Sequence, residues 1–114
     1  SSLTFGNLLH TFLNPTPSDY DFFGSAVSAV GDNVLVSAPY DDTGGANSGA
    51  LYLFDANPSS LTFGNLLHTF LNPTPLVDDL FGWSVSAVGD NVLVGTPSDG
   101  TGATDSGAVY FYQF

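Results

Sequence analysis

The chain has 114 residues, of which 43% are hydrophobic and 14% aromatic, a composition that can fill a core and that disordered chains lack. Eleven Asp with no Glu, Lys or Arg give a formal net charge of −11. That balance excludes nucleic-acid binding by phosphate neutralisation, disfavours docking on anionic lipid, and leaves every carboxylate to water, hydrogen bonds or a cation.

Cysteine is absent, so there is no disulfide framework. Methionine is absent too, and we expect a processed chain or a segment of something longer. No run approaches the roughly 18 apolar residues of a membrane helix, so direct membrane insertion is not expected. The Asp, Asn, Gly, Ser and Thr bias without Lys fits an exported, extracellular or cell-surface repeat protein.

The chain opens with SSLTFGNLLHTFLNPTP, and the same seventeen residues return at Ser59 to Pro75. A shift of 58 also lays FFGSAVSAVGDNVLVSAP over LFGWSVSAVGDNVLVGTP, and SGALYLF over SGAVYFY. Such a period decides architecture before local propensity does. The sequence divides into repeat 1 (1–58) and repeat 2 (59–114).

Each repeat reads as four short strands. The first is Leu8–Phe12, with Leu8, His10 and Phe12 on one side and Leu9 and Thr11 on the other. A long link with two prolines leads to Ser25–Val30, and the short turn Gly31-Asp32 leads on to Asn33–Ala38. A polar loop of about ten residues, typical turn chemistry, precedes Gly49–Phe54. Pro and Gly interrupt every window of helical length. Three hairpin-like links and one crossover per repeat predict four-stranded antiparallel β-propeller blades. A sandwich of two four-stranded sheets is the alternative.

FFGSAVSAVGDNVLVSAP and LFGWSVSAVGDNVLVGTP resemble the FG-GAP repeat, which builds the propeller of integrin α-chains and of many bacterial surface proteins. The FG is Phe23-Gly24 and Phe81-Gly82; GAP becomes Ser37-Ala38-Pro39 and Gly95-Thr96-Pro97. The resemblance covers essentially the whole chain, twice. Integrin-type repeats carry a DxDxDG calcium loop between FG and GAP, where this chain has the tight turn VGDNV. No calcium site carries over, and the bacterial short-turn subtype matches better.

The resemblance implies that the FG strand is innermost and LLHTF outermost. Repeat 2 then lacks an outer strand, while Leu8–Phe12 has no blade of its own. Strand exchange with a neighbouring chain or repeat would complete both, through Leu8, Leu9, His10, Thr11 and Phe12 against Val109, Tyr110, Phe111 and Tyr112. The product is a ring if the rotation closes and a filament if it does not, unless the chain is cut from a longer array. The partner would be the protein itself.

Strand parity puts the crossover and the loop before the last strand on one face. That face gathers Asp19, Asp21, Asp41, Asp42, Asp78, Asp79, Asp99 and Asp105, with Asp32, Asp55 and Asp90 opposite. Hard oxygen ligands without basic partners suit Ca²⁺, with Asp21 and Asp79 facing Asp41 and Asp99; turn capping by Asp is the alternative. His10 and His68 read as partly buried histidines, and Trp83 as core filler or a sugar-stacking platform. Tyr20 and Tyr40 are further possible sugar contacts. No Ser-His-Asp arrangement with a supporting motif or phosphate loop is visible, so no enzyme is expected. Two functions remain: a structural module that self-assembles, or a calcium-assisted adhesin or lectin-like module binding a glycan or surface protein through the acidic face.

Overall fold

The computed structural model describes residues 5–113. The opening Ser1–Thr4 of the duplicated passage lies outside them. Seven strands form two antiparallel sheets, with no helix among the described residues. In repeat 1, β1 (Val27–Val30), β2 (Asn33–Ala38), β3 (Ala50–Asp55) and β4 (Leu66–Leu71) pair in that order. In repeat 2, β5 (Ser84–Val88), β6 (Asn91–Thr96) and β7 (Ala108–Gln113) form a three-stranded sheet.

Local chemistry explains these elements. Val30 pairs with Asn33 across Gly31-Asp32, and Gly31 takes the positive φ of 58° that a type II′ hairpin turn demands. β1 begins two residues later than Ser25 because the FG corner takes them up. Gly24 N–H donates to the Ser37 carbonyl at 2.9 Å, and Ala26 N–H donates to Ser37 Oγ at 3.0 Å. β4 carries a bulge: Leu53 faces His68, then Phe54 faces Leu66, leaving Leu67 unmatched.

Leu8–Phe12 is the exception to the strand reading, since in this chain it forms no strand. Its copy Leu66–Leu71 pairs with β3, whereas residues 8–12 have no strand edge to pair with among the described residues. A ladder needs two edges, and identical letters supply one.

The sheets pack face to face. Leu35, Leu51 and Leu53 of sheet 1 meet Phe81, Val92 and Val94 of repeat 2, with Phe70, Tyr110 and Tyr112 around them. Fully burying such a side chain contributes about 1.5–3 kcal/mol. The opposite face of sheet 1 holds Val36, Tyr52 and Phe54, covered in part by Phe12 and Phe23. These are the 58-shifted counterparts of Val94, Tyr110, Tyr112, Phe70 and Phe81.

The ring geometry repeats as well. Phe12 lies 4.9 Å from Phe54, and Phe70 lies 5.1 Å from Tyr112. Phe23 meets Phe54 edge-on at 6.0 Å, as Phe81 meets Tyr112 at 6.2 Å. The opening segment therefore lies on sheet 1 as β4 lies on sheet 2.

Candidate functional site

The crossover out of each outer strand is held by one repeated arrangement. Asn14 Oδ1 accepts from Thr16 N–H at 2.9 Å, an Asx turn across Asn-Pro-Thr. Its amide donates to Asp21 at 2.9 Å. Thr16 Oγ1 lies 3.0 Å from Asp41 and 2.6 Å from Tyr52 Oη, and the Tyr52 hydroxyl donates to Asp41 at 2.7 Å. Asp41 also accepts from Thr43 N–H at 2.8 Å.

In the second copy Asn72 donates to Asp79 at 3.0 Å, Thr74 donates to Asp99 at 3.1 Å, and Tyr110 donates to Asp99. Each clamp fastens the tail of an outer segment, residues 8–12 or β4, to the acidic loop of the sheet it lies on. Asp21, Asp41, Asp79 and Asp99 are buried, and neutral donors replace the salt bridges this composition forbids.

The electrostatics follow. Burial pushes the Asp21 carboxyl up, with the Asn14 hydrogen bond opposing and the Asp41 charge adding to it. Burial acts upward on Asp99 too, but bonds from Thr101, Tyr110 and Thr74 outweigh it and hold the carboxyl below its usual range. Burial pushes the Tyr52 phenol up to about 12. On the opposite face, bonds from Ser60 and Thr62 hold Asp55 low.

The acidic face is as strand parity places it: crossover and loop touch through Thr16 and Asp41, and through Asp78 N–H to the Ala46 carbonyl at 3.1 Å. It does not converge into a cage. Asp19, Asp42 and Asp78 are exposed; Asp42 accepts from Asn47 N–H at 2.7 Å, and Asp78 from the Asn47 amide at 2.8 Å. No three Asp or His side chains among the described residues gather where one ion could sit. Calcium takes six to eight oxygens, and here Asp21, Asp41, Asp79 and Asp99 each accept hydrogen bonds from Asn, Thr or Tyr side chains.

Tyr20, Phe22, Tyr40 and Trp83 form a chain of rings, with successive centroids 6.5, 5.2 and 6.5 Å apart. Phe22, Tyr40 and Trp83 line an open cleft of about 450 Å³ beside the FG corner. Trp83 is half exposed, which sets aside the core-filler reading. Tyr20 and Phe22 hold positive φ of 65° and 58°, strained for aromatic residues. All four positions differ between the copies, whose partners are Asp78, Leu80, Ser98 and Ser25. His10 and His68 are exposed rather than partly buried, each edge-on to its neighbour Phe12 or Phe70 at 4.6 or 4.5 Å.

Of the strand-exchange residues, Leu8, Leu9, His10, Thr11, Val109 and Phe111 are exposed, while Phe12, Tyr110 and Tyr112 are half buried. Sequence reasoning missed the Thr and Tyr members of the clamps. Their signal is the exact repetition of Asn-Pro-Thr-Pro, which marks a side-chain anchor as well as a link.

The FG-GAP repeat matches at residues 16–54 and 76–112. Integrin alpha-E of Mus musculus is 32% identical over 107 residues, covering 85% of this chain and 9% of that protein. With two matched copies of the repeat, each carrying its FG corner on an antiparallel sheet, the chain belongs to the FG-GAP repeat family.

Proposed function

We propose that the protein is a non-enzymatic, extracellular structural module whose copies associate head to tail and stack their sheets as propeller blades. One observation carries this reading. Val30, Leu51 and Leu53 are 5%, 0% and 8% exposed beneath repeat 2, while their counterparts Val88, Val109 and Phe111 are 49%, 66% and 59% exposed. The same apolar face is built twice and covered once. A patch of that kind marks an interaction surface, and the face that fits it is the side of another copy where the half-buried Phe12 and Phe23 cover sheet 1.

Particle mass by light scattering over a concentration series tests the reading. Mass above a single chain supports it, constant for a ring and growing without limit for a filament. A single-chain mass at all concentrations overturns it. Because each chain carries −11, association strengthens from low salt to 0.5 M salt as screening weakens repulsion between subunits. EDTA leaves the mass unchanged.

The aromatic cleft favours a second reading, a lectin-like module in which Tyr40 and Trp83 stack on a sugar ring. With no Lys or Arg in the sequence to recognise an anionic glycan, the ligand is a neutral one. A glycan array with wild type and Trp83→Ala separates the readings: cleft binding is lost in the variant, and assembly is not.

A further inference from the structure

Granting head-to-tail association, we propose that the junction between copies reproduces the junction inside the chain, so that residues 8–13 of one copy become the fourth strand on β7 of another in one defined register. Inside the chain, β3 pairs with β4 as Leu51 with Phe70, Leu53 with His68 and Phe54 with Leu66. Moved by one repeat, β7 of one copy receives Phe12 opposite Val109, His10 opposite Phe111 and Leu8 opposite Tyr112, with Leu9 as the bulged residue. The donor has the same sequence as β4, and among the described residues the outer edge of β7 carries no strand.

The donor is also already in place. Phe12 rests on Phe54, His10 lies 5.3 Å from Phe63, and Asn14 and Thr16 are clamped to Asp21 and Asp41. It therefore occupies, on sheet 1, the site that β4 occupies on sheet 2, with its backbone edge still open.

The inner ends of the sheets carry a second, independent pair of half-sites. Phe81 N–H donates to the Ser48 carbonyl at 2.9 Å. That contact is so close that a Cβ on Gly49 would lie 2.1 Å from the Phe81 carbonyl oxygen, and one on Gly82 would lie 3.0 Å from Ser37 Cβ. The counterparts lack these neighbours. A Cβ on Gly24 would meet nothing within 4 Å, and one on Gly107 would meet only its own repeat, at Pro97. Both keep the positive φ, 94° and 86°, of their crowded partners. Two glycines shaped for close approach, one at each end of the chain, fit each other's missing neighbour. The junction then adds a Phe23 N–H bond to Ser106 of the next copy.

The chain has no native cysteine, so disulfide trapping reads the register directly. His10→Cys chains are mixed with Phe111→Cys chains under mild oxidation, beside a mixture of Thr11→Cys and Phe111→Cys. A slip of one residue turns a side chain to the other face of the sheet, so the first mixture yields about tenfold or more covalent dimer than the second. Comparable yields, or an excess from Thr11→Cys, overturn the register if particles are present in reductant, and head-to-tail association survives. Single-chain mass in reductant for the wild type overturns the association itself. If His10→Cys alone blocks assembly in reductant, Leu13→Cys with Ala108→Cys reads the same register.

Discussion

Repeat 1 and repeat 2 share their strands, their FG corners and most of their side chains, yet one is covered on both faces and the other on one. Sheet 1 lies between repeat 2 and the opening segment; sheet 2 has sheet 1 on one side and solvent on the other. Burial in this molecule is thus set by the neighbour and not by the residue. An apolar side chain at a given repeat position contributes to folding in one copy and is left for association in the other. Paired substitutions at equivalent positions separate the two contributions.

The largest contrast is expected from a charge on the interface face. Leu53→Asp buries a carboxylate between the sheets at a cost of several kcal/mol, and circular dichroism finds the chain unfolded at 25 °C. Phe111→Asp, at the same position in repeat 2, leaves the melting curve of the single chain nearly unchanged and removes the higher-mass particles seen by light scattering.

Glycine substitution gives the next contrast. Gly49→Ala drives a methyl into the Phe81 backbone and costs about 1–3 kcal/mol of overpacking beyond the positive-φ strain. Gly107→Ala carries the same strain, about 1 kcal/mol, and inside the chain meets only the milder crowding of the Pro97 carbonyl oxygen at 3.1 Å. Urea melts of diluted single chains give the first difference. The loss of particles in Gly107→Ala locates the collision between copies.

The clamps differ less. Tyr52 is fully buried, so Tyr52→Phe removes one of the three donors to the buried Asp41 carboxylate and lowers stability by about 1–3 kcal/mol in urea melts. Tyr110→Phe, half buried, costs less than Tyr52→Phe, and a single-chain melt that reversed this order would break the comparison.

The pH response is the smallest effect and has a definite sign. The Asp99 carboxyl titrates below its ordinary 3.8 in the folded chain, so its contribution is present above that pH and is lost as the pH falls through the folded value. Asp99→Asn removes that acid-side slope. The Tyr52 phenol, raised from 10.0 to about 12, contributes fully below pH 10 and loses its contribution as the pH rises to 12. Thermal melts across that window show a decline that is shallower in Tyr52→Phe, where the Tyr112 phenol, also pushed up by burial, still contributes.

The strands that were legible in the sequence are those whose partners follow along the chain. Asn33–Ala38 stands where alternation put it, because both its neighbours are joined to it by local links. Leu8–Phe12 has the same letters as β4 and no ladder, since pairing depends on an edge that the sequence of one segment does not contain. The acidic face was legible as a face. What its carboxylates bond to was not, because Thr16 lies 25 residues from Asp41 and 36 from Tyr52, and only folding brings those donors to the carboxylate. The aromatic cleft was legible residue by residue, through Tyr20, Tyr40 and Trp83, but not as one cleft.

The chain between β4 and β5, fastened at Asn72 and Thr74, also acts as a leash, since its covalent bonds keep repeat 2 near sheet 1. In a covalent tandem the second sheet meets the first at an effective concentration on the order of millimolar, whereas a free copy arrives at whatever concentration the solution provides. One geometry thus yields two kinds of joint, one always made and one set by dilution. Fusing further repeats at the carboxyl end would convert the second kind into the first without altering a single contact, turning a particle whose size follows concentration into one whose size is written in its gene.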